Sequence, residues 1–332
     1  MSKPTVAVVG ATGVLGRQVL AALASLDLEA DQLRLFGSER SAGEELEFRD
    51  EMLAVEPVGP DAFRGVNAAI LATPPDASRG LGARLEQAGS WVVDCSGAFR
   101  VDAKVPLVAL GINDGVLDRP FSGRIVSLAH PVTLATLSVL EPLREKYGVV
   151  MADVIIVGGA SLFGSAGVER LSRQAAQLMN GKDPDIDVFP HRLAFNIIPA
   201  VGDLEGGVAK LERTLLVEAA RILAGDGLPA LTCTSLLVPI YHGVVLTLSV
   251  HLKRPADADA VRALLGQSSS LKVLDEPDAN VYPMPMLTAD DASVHVGRVR
   301  SHHERVQLVA AVDCALRAAD AAAELVLELV DR

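Results

Sequence analysis

Apolar positions follow two different rhythms along this chain. In the first part, short apolar runs of strand length alternate with longer segments of helical character. Thr5 to Val9 is the first such run, and the apolar segment Arg17 to Leu26 follows it as a helix. Gln32 to Phe36, Ala68 to Ala72, Trp91 to Asp94 and Arg124 to Leu128 read as further strands, with a helix over Ala77 to Ala88. This βα alternation predicts a parallel sheet. Pro131 opens a long amphipathic helix to about Lys146, at a position where proline is tolerated. After Val149 the rhythm changes. Val154 to Val157, Leu231 to Pro239 and Val244 to Leu252 are β-rich, and Gly167 to Leu178 and Ala209 to Leu223 are helical. That mixture predicts an α+β domain inserted before the end. The alanine-rich tail, Cys314 to Val330, predicts a helix that returns to the first domain.

The junction of the first strand and helix carries a glycine pattern, Gly10-Ala11-Thr12-Gly13-Val14-Leu15-Gly16. Strand, glycine turn and helix together make a candidate phosphate site. Gly10 allows a tight turn, Gly13 a close approach of pyrophosphate to the backbone, and Gly16 close helix–strand packing. The helix N-terminus adds N–H groups and a positive dipole end. The spacing is G-x-x-G-x-x-G, so a tight turn that holds no ligand stays open as the alternative. The second strand candidate ends in Gly37-Ser38-Glu39-Arg40-Ser41-Ala42-Gly43. An acidic residue here suits a free ribose 2′-OH and an arginine suits a 2′-phosphate. Both are present, and Arg40 between Ser38 and Ser41 favours NADP.

Composition narrows the functional classes. The chain has 332 residues, a length that suits two domains. A net charge of −12 leaves no electrostatic footprint for nucleic acid and repels anionic membranes. The first strand begins almost at once, so no signal segment is expected. No apolar run approaches the roughly 20 residues of a membrane span. Cys95, Cys233 and Cys314 are scattered, without metal spacing, which fits a reducing cytoplasm and no metal site.

Several linked motifs carry a resemblance. Besides the two loops above, the chain has Asp94-Cys95-Ser96-Gly97-Ala98-Phe99-Arg100-Val101-Asp102, then Val105-Pro106-Leu107-Val108. Later come Leu193-Ala194-Phe195-Asn196-Ile197-Ile198-Pro199 and Val296-Gly297-Arg298-Val299-Arg300. In that order and spacing the chain resembles the aspartate-semialdehyde dehydrogenase family over nearly its whole length. The resemblance implies an α/β fold: a Rossmann-type NADP-binding domain (1–129, with the C-terminal helix 313–332) and an α+β dimerisation and catalytic-type domain (130–312). It implies a homodimer in amino-acid biosynthesis. It also implies cofactor contacts from Gly10, Thr12, Gly13, Val14, Leu15, Ser38, Arg40 and Ser41, and phosphate or substrate contacts from Arg100 and Glu212.

The chain departs from the family at the reacting residues. The family nucleophile sits in an A-N-P-N-C-S-T run at the start of the long helix. The matching run is Ala129-His130-Pro131-Val132-Thr133-Leu134-Ala135, with Thr133 at the cysteine. In the family a thiolate attacks the aldehyde, a hydride passes to NADP, and phosphate cleaves the thioester. A cysteine at a helix N-terminus ionises readily, whereas a threonine hydroxyl needs an adjacent base. The family histidine aligns with Val244, its substrate arginine with Leu237, its glutamine with Gly158, and a phosphate-binding lysine with Thr214. Asparagines near the nicotinamide align with Cys95 and Cys314, so the adenine half of the cofactor is the better supported. Loss of the reactive positions with retention of the glycine and packing motifs resembles the non-catalytic Usg-type paralogues.

Replacement chemistry stays open from sequence alone. Thr133 with His130, or with His242 placed two residues from Val244 on the same strand face, makes a conceivable nucleophile–base pair. Cys95 is a conceivable alternative nucleophile. An active NADP-dependent semialdehyde dehydrogenase with a rearranged site, or a purely structural dimer, are the competing readings.

Overall fold

The computed structural model describes residues 4–224, 228–330 and 332. The chain forms two compact units, Met1–Pro131 with Ala315–Arg332, and Val132–Cys314.

The first unit is built from β1 (Val6–Val9), α1 (Val14–Ala24), β2 (Leu33–Gly37), β3 (Glu45–Phe48), β4 (Glu51–Pro57), β5 (Ala68–Leu71), α2 (Pro75–Gln87), β6 (Trp91–Asp94), β7 (Leu107–Val108) and β8 (Ile125–Leu128). They make an eight-stranded sheet in the order β3-β4-β2-β1-β5-β6-β8-β7. Val6 pairs in parallel with Leu33 on one side and Ala68 on the other. All residues of β1 and β5 are buried, as parallel strands covered on both faces require. The strand order reverses between β1 and β5, and the crevice beyond their C-terminal ends is where open α/β sheets bind ligands. The predicted strands are all present. The antiparallel hairpin β3–β4 is an addition. Its first strand alternates Glu45, Leu46, Glu47 and Phe48, exposing both glutamates and burying Leu46 and Phe48.

The second unit contains α3 (Pro131–Tyr147), β9 (Val149–Gly158), α4 (Gly164–Met179), the two-residue strands β10 (Leu204–Glu205) and β11 (Val208–Ala209), α5 (Lys210–Ile222), β12 (Ala230–Leu237), β13 (Val244–Leu252), α6 (Ala258–Leu265), β14 (Leu271–Val273), β15 (Val294–His302) and β16 (Arg305–Val312). Its six-stranded sheet runs β12-β9-β13-β16-β15-β14. The outer pairs β12–β9 and β14–β15 are parallel and the inner pairs antiparallel. One sheet face is buried: Leu246, Leu248 and Val250 of β13 join Val139, Leu143 and Leu215 in one core. β9 begins five residues before the expected Val154. α6 and the strands β14 to β16 were not anticipated. Asp257 caps α6, its carboxylate accepting from Asp259 N and Ala260 N.

The last helix, α7 (Cys314–Val330), matches its predicted span. Leu325, Val326 and Leu329 are buried, and Arg332 Nη1 donates to Leu117 O at 2.9 Å within the first unit. Among the described residues no helix is long and apolar enough to cross a membrane.

Candidate functional site

In the first unit the glycine turn lies at the C-terminal end of β1. Gly10 has φ +91°, and a Cβ there would sit 2.6 Å from Ala72 O. A Cβ on Gly16 would overlap Gly10 O and lie 2.7 Å from Ala11 Cα. Neither position tolerates a side chain. Gly10 N and Ala11 N donate to Phe36 O at 2.8 and 3.1 Å, tying the turn to the end of β2. Gly13 is the N-cap of α1, with no capping side chain and no acid in the first turn. The first-turn N–H groups and the positive dipole end are thus left for an external anion. Gly13 and Val14 are exposed and Leu15 is half-buried.

Tertiary structure brings the second predicted loop to this turn. Thr12 Oγ1 donates to Ser41 Oγ at 3.1 Å, and Ser41 Oγ lies 3.4 Å from Ser38 Oγ. Glu39 and Arg40 are exposed beside them. A backbone cradle flanked by hydroxyls and a guanidinium fits the phosphates and adenosine end of a dinucleotide.

Arg100 is strutted by main-chain carbonyls. Its Nε donates to Leu128 O at 2.8 Å and its Nη2 to Cys95 O at 3.0 Å. The fully buried Asp94 carboxylate shapes the same turn, accepting from Ser96 N and Ser127 Oγ, both at 2.9 Å. Burial, with Asp94 adding to it and Arg100 opposing, pushes the Cys95 thiol up to about 12. A thiol held that high is protonated at neutral pH, which removes Cys95 as a nucleophile. We expect iodoacetamide at pH 8 to label Cys95 roughly 10³-fold more slowly than a free cysteine, as its thiolate fraction dictates. Peptide mapping of the labelled native protein checks this; labelling at the rate of the unfolded chain would contradict it. Cys233 is likewise pushed up to about 12 by burial and Glu212, and burial raises Cys314.

In the second unit, three of the positions that the resemblance aligns with family site residues form one row across the sheet. Leu237 on β12 pairs with Gly158 on β9, Gly158 with Val244 on β13, and Val244 with Val312 on β16. Directly opposed residues share a face. Leu237 and Val244 are 1% exposed and Val312 is 0% exposed. All three belong to the hydrophobic core, with Ile198 bridged to Leu237. Where the family resemblance implies polar groups, this face is a buried apolar layer. The sequence reading missed Leu162, whose side chain fills the space beside Gly158.

Thr133 is the third residue of α3 and is fully buried. Its Oγ1 has no hydrogen-bond partner, so neither His130 nor His242 is bonded to it as a base. The placement of His242 on the face of Val244 is corrected. β13 begins at Val244, and His242 lies exposed in the preceding turn, where Gly243 at φ +85° reverses the chain.

Glu212 is buried and engaged internally. Its Oε2 accepts from Ala209 N at 2.8 Å, and its Oε1 from Ser235 N at 2.7 Å and Ser235 Oγ at 2.9 Å. It therefore caps α5 and ties that helix to β12. Thr214 Oγ1 donates back to Lys210 O at 2.9 Å. Among the described residues no group of three or more His, Cys, Asp or Glu side chains is placed to hold a metal ion.

Known proteins resemble the chain throughout. Residues 5–119 match the family described as semialdehyde dehydrogenase, NAD binding domain, and residues 140–315 match semialdehyde dehydrogenase, dimerisation domain. The aspartate-semialdehyde dehydrogenase of Aquifex aeolicus is 30% identical over 89% of this chain and 87% of its own length. That of Bacillus subtilis is 30% identical over 90% of this chain and 88% of its own. The crystal structure of aspartate semialdehyde dehydrogenase II from Vibrio cholerae, complexed with ASA, superposes with a TM-score of 0.91 at 27% identity. It covers 100% of this chain and 99% of that one. An NAD-binding domain of Rossmann type joined to a dimerisation-type domain, with identity of this extent, places the chain: it belongs to the semialdehyde dehydrogenase family.

Proposed function

We propose that this chain is a catalytically silent relative of aspartate-semialdehyde dehydrogenase, of the Usg type, that keeps an NADP-type cleft and acts as a homodimer. The observation that carries this reading is the row Leu237, Gly158 and Val244, which is buried and apolar where the chemistry needs a carboxylate anchor and a base. Thr133 adds to it, since an unpartnered buried hydroxyl has no route to an alkoxide. Gly10, Thr12, Gly13, Val14, Leu15, Ser38, Arg40 and Ser41 would hold the phosphates and adenosine of NADP, and Arg100 would stand near the phosphate end. Bound there, NADP would supply a hydride acceptor; the chain's own residues bind and orient it but do not generate the hydride donor.

The dimer has support from the sheet. On the face opposite the reacting row, Thr234, Ile155, Thr247 and Val309 align across four strands. Ile155 is 43% exposed. A flat face of small and β-branched residues suits self-complementary packing about a two-fold axis.

The test pairs calorimetric titration of NADP with a phosphate-dependent assay of NADP reduction by aspartate semialdehyde. Binding without turnover supports the proposal. Turnover selects a rearranged active enzyme, and absence of both binding and turnover selects a structural dimer. We further expect Arg40→Ala to weaken NADP about tenfold or more while leaving NAD nearly unchanged, because only NADP carries the 2′-phosphate. Equal losses for the two cofactors, or no measurable binding of either, would count against a 2′-phosphate contact from Arg40.

A further inference from the structure

We infer that Leu162 is the specificity-determining residue that closes the substrate end of the second unit to polar ligands. The inference rests on the reading above and names what that reading leaves open, the class of ligand the site rejects. A Cβ built on Gly158 would overlap Leu162 Cδ1 and lie 3.4 Å from Leu162 Cγ. Leu162 therefore occupies the volume that a longer side chain at position 158 would need, at the centre of the row between Leu237 and Val244.

The segment that carries Leu162 is held by its backbone. It is a short 3₁₀ turn, Ala160–Phe163, directly after β9. Gly159 N donates to Gly243 O at 3.1 Å, Ala160 N to Ile240 O at 2.8 Å and Ser161 N to Tyr241 O at 2.9 Å. A Cβ on Gly159 would come within 2.9 Å of Ile240 O, and one on Gly167 of α4 would overlap Ala160 O. The turn is thus clamped on both sides by close backbone approaches. The backbone of the turn is fixed, and the partly buried Leu162 side chain packs against the apolar core.

An apolar plug against an apolar row leaves a ligand's carboxylate or amide without a partner, and burying such a group unpaired is strongly unfavourable. The site consequently rejects a carboxylate-bearing aldehyde, while the glycine cradle of the first unit is untouched by this. Gly158 and Leu162 thus share one volume, so a side chain at position 158 must displace the leucine tip.

The test has two arms. In the first, unfolding equilibria are measured for Gly158→Gln, Leu162→Ala and the double variant. Each single change is expected to destabilise. The double variant is expected to be at least about tenfold more stable in its folding equilibrium than Gly158→Gln alone, as neighbours that share a volume couple. If Gly158→Gln does not fold, Gly158→Ala replaces it in the same cycle. Additive losses would overturn the pairing. This arm reads Leu162 whether or not the protein turns anything over, so its failure is distinct from failure of the silent-enzyme reading. In the second arm, aspartate semialdehyde is titrated calorimetrically into Gly158→Gln/Leu237→Arg and into the same protein with Leu162→Ala added. Binding is expected only where Leu162 has been shortened. Equal binding by both, or by neither, would overturn Leu162 as the excluding residue.

Discussion

Given aspartate semialdehyde, phosphate and NADP, the protein should form NADPH no faster than a reaction without it. Removal of a nucleophile–base unit lowers rates on the order of 10⁶-fold, and here both positions hold groups that cannot ionise usefully. Thr133 presents a buried, unpartnered hydroxyl, Val244 moves no proton and Leu237 holds no carboxylate. These are three different tasks. Thr133→Cys alone should therefore restore little or nothing, even though a thiol at the start of α3 would gain from the helix dipole. Thr133→Cys with Val244→His and Leu237→Arg has the better prospect, and Leu162 beside Gly158 would still limit it. Continuous spectrophotometry of NADPH formation decides the matter. Phosphate-dependent turnover by the unmodified protein, abolished by Thr133→Val, would falsify the silent reading and make Thr133 a working nucleophile.

Glu212→Ala should cost at least about 3 kcal/mol of stability, since each of its three buried donors left unsatisfied costs about 1–3 kcal/mol. Ala209 N, Ser235 N and Ser235 Oγ all lose their acceptor in one change. A loss of that size is a large share of the roughly 5–15 kcal/mol that holds a typical domain together. Glu212→Gln keeps one acceptor oxygen but turns an N–H₂ toward these donors, so an intermediate loss is expected. Urea unfolding followed by circular dichroism measures both. If Glu212 instead served a ligand, Glu212→Ala would leave the unfolding midpoint in place while phosphate binding fell. That outcome would contradict the structural role.

The resemblance that placed Glu212 among ligand contacts could not see where its oxygens point. Spacing along α5 put a carboxylate in the first turn, but Ser235 reaches it only because β12 lies alongside that helix. The same limit applied to His242. Two residues from Val244 means the same strand face only if the strand extends that far, and the positive φ of Gly243 ends it first.

By itself the sequence determined what depends on neighbours along the chain. The continuous apolar runs of β1 and β5, bounded by turn residues, read as strands buried on both faces, and the glycines after β1 read as a tight turn. The alanine-rich periodicity of α7 likewise needs no distant partner to be read. Thr133, at the position where the resemblance puts the family cysteine, is also read directly from the sequence. Tertiary structure decided the rest. β3 and β4 alternate charged and apolar residues in short stretches whose identity depends on pairing. The strands β14 to β16 and helix α6 are likewise defined by the sheet they complete. Thr12 meets Ser41 only because β1 and β2 are parallel neighbours. Leu237, Gly158 and Val244 become one row only through sheet register, a non-local property in which a one-residue slip turns every side chain to the other face. Leu162 lies close to Gly158 along the chain, but it is held beside this row by the bonds of Gly159, Ala160 and Ser161 to Gly243, Ile240 and Tyr241, which only the tertiary structure supplies.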